Sequence, residues 1–216
     1  MTLPLQIILV LAVLFIVVTI GWRIASRRSS LPCPSWLAWL VEMDDPFAKN
    51  YNARSIIDRL DIQPGMRVLD AGCGPGRVTI PLAREVGPQG GVDAVDIQPR
   101  MLRRAKEKAQ AAGLTNIKYL EMAIEAGKLG SNQYDRAILV TVLGEIPDRQ
   151  SALREIHRTL KPDGVLSISE IIVDPHYQSR GTILNLANLA GFHEKAFFGN
   201  RFTFTVHLEK SKEDEK

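Results

Sequence analysis

The feature that most constrains the fold is Met66–Gly76, where a short apolar run ends in an acid and is followed by alternate glycines. Val68 and Leu69 predict a buried strand that ends at Asp70. An apolar run that ends in glycines is typical of a parallel strand that turns sharply into a helix. Glycines let the backbone approach a ligand, and a helix predicted over 78–86 would point its first N–H groups into the turn. The glycines are Gly72, Gly74 and Gly76.

A second predicted strand, Gly91–Val95, favours a ligand site over an ordinary glycine-rich turn. It ends in Asp96, and an acid at the tip of the second strand is how doubly wound folds bind ribose hydroxyls. A dinucleotide site would carry a third glycine where this chain has Arg77. No G-K-[ST] triphosphate signature is present either. The two strands therefore predict a nucleoside-containing ligand that lacks the usual pyrophosphate cradle.

The segments VLDAGCGPGRVTIPLA and VDAVDIQPRML resemble the class I S-adenosylmethionine-dependent methyltransferases. Within that class they are similar to the ubiquinone/menaquinone-methyltransferase-like group, methyltransferase type 11. The resemblance covers roughly Asp45 to Lys210. It implies S-adenosylmethionine as cofactor and an α/β fold: a Rossmann-like, doubly wound, mainly parallel seven-stranded sheet with an antiparallel C-terminal hairpin.

The resemblance also implies which residues hold the cofactor. The glycine backbone would pass along the methionine and ribose parts, Asp70 would stabilise the turn, and Asp96 would accept from both ribose hydroxyls. Many relatives place an Asp after the third strand, where this chain has Ala123; this leaves the adenine amino group to the backbone, to Ile124 or to Glu125. The predicted cofactor residues are Asp70, Gly72, Cys73, Gly74, Gly76, Asp96, Ile97, Ala123, Ile124 and Thr141.

Methyl transfer from a sulfonium is an in-line displacement, so the protein mainly aligns the acceptor and excludes water. By resemblance, the loop 141–147 lines the methyl side of the pocket. Glu145 is its only charged residue before Asp148, and it would orient or deprotonate an acceptor; the alternative is an exposed helix-capping carboxylate. The predicted substrate-binding residues are Glu170, His176 and Tyr177.

The remaining elements alternate between strand and helix, which predicts a mainly parallel sheet covered on both faces. Lys161–Gly164 predicts a turn before the fifth strand. The further predicted strands are 117–120, 134–140, 165–169, 194–198 and 202–208, and the predicted helices are 45–60, 99–112, 150–160 and 182–189.

The N-terminus carries a nearly unbroken apolar run, Leu3–Trp22. About twenty residues suffice for a helix to span a bilayer core of about 30 Å. No basic residue precedes the run, which disfavours a cleaved signal peptide. Arg23, Arg27 and Arg28 follow it, and the positive-inside rule then predicts a single-pass membrane protein with its catalytic domain on the cytoplasmic side.

The next segment connects this predicted transmembrane helix to the domain. Ser35–Met43 carries Trp36 and Trp39, which would lie either in the headgroup zone or against the domain as a cover. The predicted divisions are a transmembrane anchor at 1–25, a membrane-proximal linker at 26–44, a methyltransferase domain at 45–210 and a charged tail at 211–216.

The composition of the chain limits which classes of binding partner are expected. A net charge of +3 with mixed signs does not predict nucleic-acid binding. Two cysteines, Cys33 and Cys73, do not predict a disulfide framework, and no metal-ligand spacing is present. The expected partners are the bilayer and a lipid or other apolar acceptor, while the oligomeric state is undetermined. The alternative to a membrane-anchored methyltransferase is a membrane-tethered binding or scaffold protein that keeps the cofactor fold without catalysis.

Overall fold

The computed structural model describes residues 51–211 and, nearer the N-terminus, residues 6–7, 9–11, 13–14, 17–18, 20–21 and 24–25. Within these ranges, no helix has both the length and the apolar character that a membrane crossing requires. The linker 26–44, the first six residues of the helix predicted at 45–60, and residues 212–216 of the predicted tail lie outside the described part of the chain.

The described domain is built on one sheet of seven strands, in the order β3-β2-β1-β4-β5-β7-β6. The first five strands pair in parallel, and β7 runs antiparallel to both β5 and β6. This confirms the predicted doubly wound sheet with its C-terminal hairpin. The strands are β1 (Arg67–Ala71), β2 (Gly91–Asp96), β3 (Ile117–Glu121), β4 (Tyr134–Val140), β5 (Leu160–Ile171), β6 (Phe192–Gly199) and β7 (Thr203–Lys210).

Helices cover both faces of the sheet, as the alternation of elements predicts. Three helices pack on one face of the sheet, and two pack on the other. The pair on the second face contributes Leu153, Ile156, Ile183 and Ala187 to the core. Most of the buried strand residues are apolar on both sides of the sheet, as a parallel sheet between two helical layers requires. The helices are α1 (Ala53–Arg59), α2 (Thr79–Val86), α3 (Pro99–Ala111), α4 (Arg149–Thr159) and α5 (Arg180–Leu189).

Two predicted boundaries need correction. Lys161–Gly164 is not a turn between two elements but a bulge inside β5: Tyr134 pairs with Leu160 and Arg136 with Val165, so five steps along β5 match two along β4. The Pro-Asp-Gly sequence is accommodated there because an unpaired bulge needs no ladder N–H from the proline. The helix predicted to end at Leu60 begins at Ala53, since Asn52 caps it by accepting from the Ser55 N–H at 2.7 Å.

The described residues of the predicted anchor are helical. Their apolar side chains are exposed by half or more of their surface; Val10 and Val17, for example, are 64% and 60% exposed. Because other residues of this stretch are not described, the predicted span Leu3–Trp22 is only partly visible.

Candidate functional site

The candidate site lies at the carboxyl ends of the parallel strands. β1 lies between β2 and β4, so the chain order reverses there, and ligands of doubly wound folds bind outside the carboxyl ends of strands at such a reversal. A cavity opens at this edge, between the loops that follow β1, β2, β3, β4 and β5. Among the residues that line it are eight of the predicted site residues: Gly72, Gly74, Asp96, Ile97, Ala123, Ile124, Thr141 and Glu145.

The glycine turn after β1 is held close to β2. The N–H groups of Gly72 and Cys73 both donate to the Val95 carbonyl, at 2.8 and 2.9 Å. Gly72 has φ of +77°, and a Cβ there would lie 2.5 Å from both methyl carbons of Val142. Gly74 has φ of +52°, but apart from its chain neighbours no atom of the described residues lies within 4 Å of where its Cβ would stand. Gly72 therefore packs against the β4 loop, whereas Gly74 leaves a free surface facing the cavity.

Asp96 is fixed at the tip of β2 by two backbone groups. Its Oδ2 accepts from the Gly74 N–H at 2.9 Å, and its Oδ1 accepts from the Gln98 N–H at 2.8 Å. Burial raises the pKa of this carboxyl, although these hydrogen bonds act to lower it. Each oxygen keeps a further lone pair, so the carboxylate can accept from a diol without losing its orientation.

The residues present fit S-adenosylmethionine. The open surface above Gly74 lets a ligand come close to the protein backbone, and the adjacent Asp96 supplies paired acceptors for ribose hydroxyls. Apolar side chains follow on the same side of the cavity, where an adenine ring would lie: Ile97, Met101, Met122 and Ile124. Ala123 offers no polar side chain there, while Glu125 also lines the cavity, which keeps Glu125 as a candidate for the adenine amino group.

Three predicted cofactor residues support the turn without lining the cavity. Asp70 is buried and accepts a 2.6 Å hydrogen bond from the Thr79 hydroxyl; burial raises its pKa to about 7. Cys73 is also buried, and burial raises the pKa of its thiol. A Cβ at Gly76 would lie 3.0 Å from that of Ala105 on α3. Their common effect is to set the course of the backbone around Gly74.

The side of the cavity that the sequence predicts for the acceptor begins at Thr141, the residue after β4. Thr141 has φ of +55°, a conformation that a β-branched residue adopts only under constraint. Glu145 follows in a short 3₁₀ helix, Leu143–Glu145, and is partly buried at the cavity. The alternative role of Glu145 as an exposed helix cap is wrong, because Asp148 caps α4 by accepting from the Ser151 N–H at 2.9 Å.

Glu170, His176 and Tyr177, the residues predicted to bind substrate, are not among the described residues that line the cavity. The Glu170 carboxyl is buried: Oε2 accepts from the Gln178 N–H at 3.2 Å, and Oε1 has no hydrogen-bond partner within the described part of the chain. Burial, followed by the charges of Asp174 and Glu145, raises its pKa well above the ordinary value. His176 is buried, and its backbone N–H donates to the Asp174 carboxylate at 2.7 Å. The Tyr177 hydroxyl donates to the Arg201 carbonyl at 2.6 Å.

Sequence reasoning missed two residues of this side. Asp174 lines the cavity from the loop after β5; it follows two apolar residues, so only its position beyond a strand end could have indicated it. Tyr51 lies before α1, yet its hydroxyl is 3.0 Å from the Thr141 Oγ1. A single tyrosine before a helix gives no signal in the sequence, because the contact joins residues ninety positions apart.

Comparisons with known proteins agree with this geometry. A family model described as a methyltransferase domain matches residues 62–204. The chain is 33% identical over 112 residues to a demethylmenaquinone methyltransferase of Geobacillus stearothermophilus, over 52% of this chain and 48% of the relative. It is 37% identical over 126 residues to a ubiquinone/menaquinone biosynthesis C-methyltransferase of Pasteurella multocida, over 56% and 47% of the two chains. The chain thus spans about half the length of the curated relatives it matches.

The fold agrees as well. A crystal structure of an S-adenosylmethionine-dependent methyltransferase from Aquifex aeolicus superposes with a TM-score of 0.73 at 23% identity, covering 82% of this chain and 98% of that one. The predicted cofactor and the predicted class of enzyme domain are both confirmed at the level of the family. This chain belongs to the family of S-adenosylmethionine-dependent methyltransferase domains.

Proposed function

We propose that this protein transfers the methyl group of S-adenosylmethionine to an apolar acceptor dissolved in a membrane, with a demethylated quinone ring in its reduced form as the first candidate. The observation that carries the proposal is the division of the cavity. One end fits the cofactor, and the other combines apolar walls, Val142 and Ile146, with two carboxylates, Glu145 and Asp174. Two relatives named for menaquinone or ubiquinone methylation support the choice of ring.

The reaction needs alignment more than activation by the protein. The cofactor, when bound, supplies a methyl group already activated on a sulfonium. Asp96 would hold the ribose, and the loop after β4 would line the methyl side and exclude water from the line of transfer. A reduced quinone ring carries hydroxyl groups, and Glu145 and Asp174 would accept hydrogen bonds from them. A ring carbon of such an acceptor is electron-rich enough to form a bond to the methyl group, whereas that of an oxidised quinone is not. The methyl–sulfur bond would break as the new bond forms, S-adenosylhomocysteine would leave, and the proton displaced from the ring carbon would pass to a carboxylate or to solvent.

We also propose that residues 1–25 anchor the protein in the membrane, with the domain on the cytoplasmic side. The exposed apolar side chains of the described helical residues support this proposal, as do the three arginines that follow the apolar run. An anchor raises the local concentration of an acceptor that is confined to the bilayer.

An apolar rim beside the cavity supports access from the lipid side. Ile172, Val173 and Phe202 form it: the Ile172 N–H donates to the Phe202 carbonyl at 2.7 Å, and Val173 directly precedes Asp174 of the cavity wall. Val173 is 72% exposed and Phe202 46%. Exposed apolar residues at the mouth of a cavity favour contact with a membrane or an apolar ligand.

The test uses the full-length chain reconstituted in lipid nanodiscs with methyl-labelled S-adenosylmethionine. Three acceptors are offered separately: a reduced demethylated quinone, the same quinone oxidised, and a phospholipid with a primary amine. Label in the reduced quinone alone is expected. Label in the amine lipid would contradict the quinone proposal and identify a lipid amine as the acceptor. Cofactor binding without transfer to any acceptor would favour the alternative of a non-catalytic binding protein.

The anchor is tested separately by alkaline extraction of the membranes of expressing cells. The full-length chain should stay with the bilayer, and a variant that begins at residue 26 should be released. Release of the full-length chain would contradict the proposed anchor without affecting the proposed reaction.

A further inference from the structure

Arg77 stands where a dinucleotide-binding turn would have its third glycine, and its side chain reaches back to the segment before α1. Its Nη1 donates to the Tyr51 carbonyl at 3.0 Å, and its guanidinium lies 4.4 Å from the centre of the Tyr51 ring. A stacked guanidinium that also donates to the backbone fixes both the ring plane and the position of the residue that carries it. Arg77 therefore ties Tyr51 to the glycine turn.

Tyr51 passes this constraint to the acceptor side of the cavity. Its hydroxyl is 3.0 Å from the Thr141 Oγ1, and the Thr141 hydroxyl itself donates to the Val140 carbonyl at 2.7 Å. Because a threonine hydroxyl has only one proton, Tyr51 is the donor. Burial raises the pKa of Tyr51, so the phenol keeps the proton that this hydrogen bond requires.

Thr141 is the residue that most needs such support. Its φ of +55° is in the left-handed region, which a β-branched side chain occupies only when its surroundings impose it. The next residue, Val142, then packs its methyl groups against the Cα of Gly72. The contacts thus run from Arg77 through Tyr51, Thr141 and Val142 back to the same glycine turn.

We propose that Tyr51 and Arg77 are positioning residues that hold Thr141 in its left-handed conformation, and so fix the distance between the cofactor turn and the loop that lines the acceptor side. This inference rests on the proposed function, since the distance matters because methyl transfer requires an in-line arrangement of acceptor and methyl group. Neither residue is assigned contact with the reacting atoms.

The test compares Tyr51→Phe, Thr141→Val and their double variant in the full-length protein, with Thr141→Ser as the conservative variant. Tyr51→Phe keeps the ring that stacks on Arg77 and removes only the hydroxyl. Each single variant should lower kcat about tenfold with the KM for S-adenosylmethionine within about twofold, because alignment and not cofactor binding is lost. The double variant should lose no more than either single one, and Thr141→Ser should keep most of the activity.

A second readout needs neither cofactor nor acceptor. Hydrogen–deuterium exchange of the backbone N–H groups within 141–147, of which Pro147 has none, should speed up about tenfold in Tyr51→Phe and in Arg77→Met, because the loop opens more readily when either contact is removed. The matched controls are Tyr119→Phe, which removes a phenol hydroxyl with no hydrogen-bond partner among the residues described, and Arg84→Lys on the exposed face of α2. Both controls should leave the exchange at 141–147 unchanged.

Two results would overturn the proposal: unchanged exchange at 141–147 in both variants, or losses of kcat that multiply in the double variant. Failure of the wild-type chain to bind S-adenosylmethionine would instead count against the proposed function, and the exchange experiment would still decide whether Tyr51 and Arg77 position the loop.

Discussion

The two ends of the cavity are built in different ways. The cofactor end comes from two neighbouring strands and their loops, and its main contacts are made by backbone: Gly74 and Gln98 donate their N–H groups to Asp96, and Val95 accepts from the turn. The acceptor end is assembled by side chains of segments far apart in the chain, among them Tyr51, Glu145 and Asp174.

This difference explains what each end can tolerate. Backbone contacts and positive φ angles depend on a few glycines in a short stretch, so the cofactor end has little freedom to vary. Side chains on loops can be exchanged without rebuilding the sheet, which is how one fold serves many acceptors. Substitutions at the cofactor end should therefore damage folding or binding, whereas those at the acceptor end should change turnover.

The largest effects are expected from substitution of two glycines in the turn after β1, Gly72 and Gly74. One substitution should mainly lower stability and the other should mainly prevent cofactor binding. Gly72→Ala should lower the free energy of unfolding by about 3 kcal/mol, since its Cβ would meet Val142 in a backbone conformation unfavourable for alanine. The Cβ of Gly74→Ala would meet no atom of the residues that the structure describes, so this variant should cost only about 1 kcal/mol, through its positive φ. It should nevertheless abolish cofactor binding by filling the free surface. Denaturant unfolding and calorimetry check both variants; equal stability losses would contradict this account of the turn.

The next effect concerns pH and Asp70. Because burial raises the pKa of Asp70 to about 7 from an ordinary 3.8, the folded chain holds this proton more tightly than the unfolded chain. The stabilisation is complete below about pH 4 and is lost as pH rises toward 7, with a total of a few kcal/mol. Asp70→Asn should flatten the decline in unfolding free energy over this range. An unchanged decline would show that another group causes it.

The smallest effect is expected from two carboxylates that line opposite ends of the cavity. Glu145→Gln should lower kcat about tenfold and leave the affinity for S-adenosylmethionine unchanged, because the role proposed for Glu145 is to orient or deprotonate the acceptor. Glu125→Gln is the matched variant at the cofactor end, and it should weaken cofactor binding by no more than about tenfold, as expected for one hydrogen bond. If Glu145→Gln instead weakened cofactor binding and Glu125→Gln instead lowered kcat, the cofactor and the acceptor would occupy the opposite ends of the cavity from those proposed.

The sequence predicted the cofactor end better than the acceptor end for a physical reason. Gly72, Gly74 and Asp96 lie at strand ends that periodicity and glycine spacing identify, and all three line the cavity. The contact of Tyr51 with Thr141 depends on how α1 packs on the sheet, which no local pattern encodes. Asp174 was missed because it follows two apolar residues, so that only its position beyond the end of β5 could have indicated it.

The helix and strand boundaries show the same limit. Most were predicted within two residues, because apolar periodicity marks them. The bulge at Lys161–Gly164 was predicted as a turn, since Pro-Asp-Gly is a local turn signal whose outcome is decided by pairing with β4. Pairing between strands is a tertiary property and overrides the local preference.

The central claim is that Asp96 and the open surface above Gly74 form the S-adenosylmethionine site. The most direct test is calorimetric titration of the full-length chain in detergent micelles with S-adenosylmethionine, beside Asp96→Ala. Binding in the micromolar range that weakens about a hundredfold in a variant that remains folded by circular dichroism is the predicted result, since hydrogen bonds to the charged carboxylate are lost. Equal affinity of the two proteins, or no binding by the folded wild-type chain, would contradict the claim.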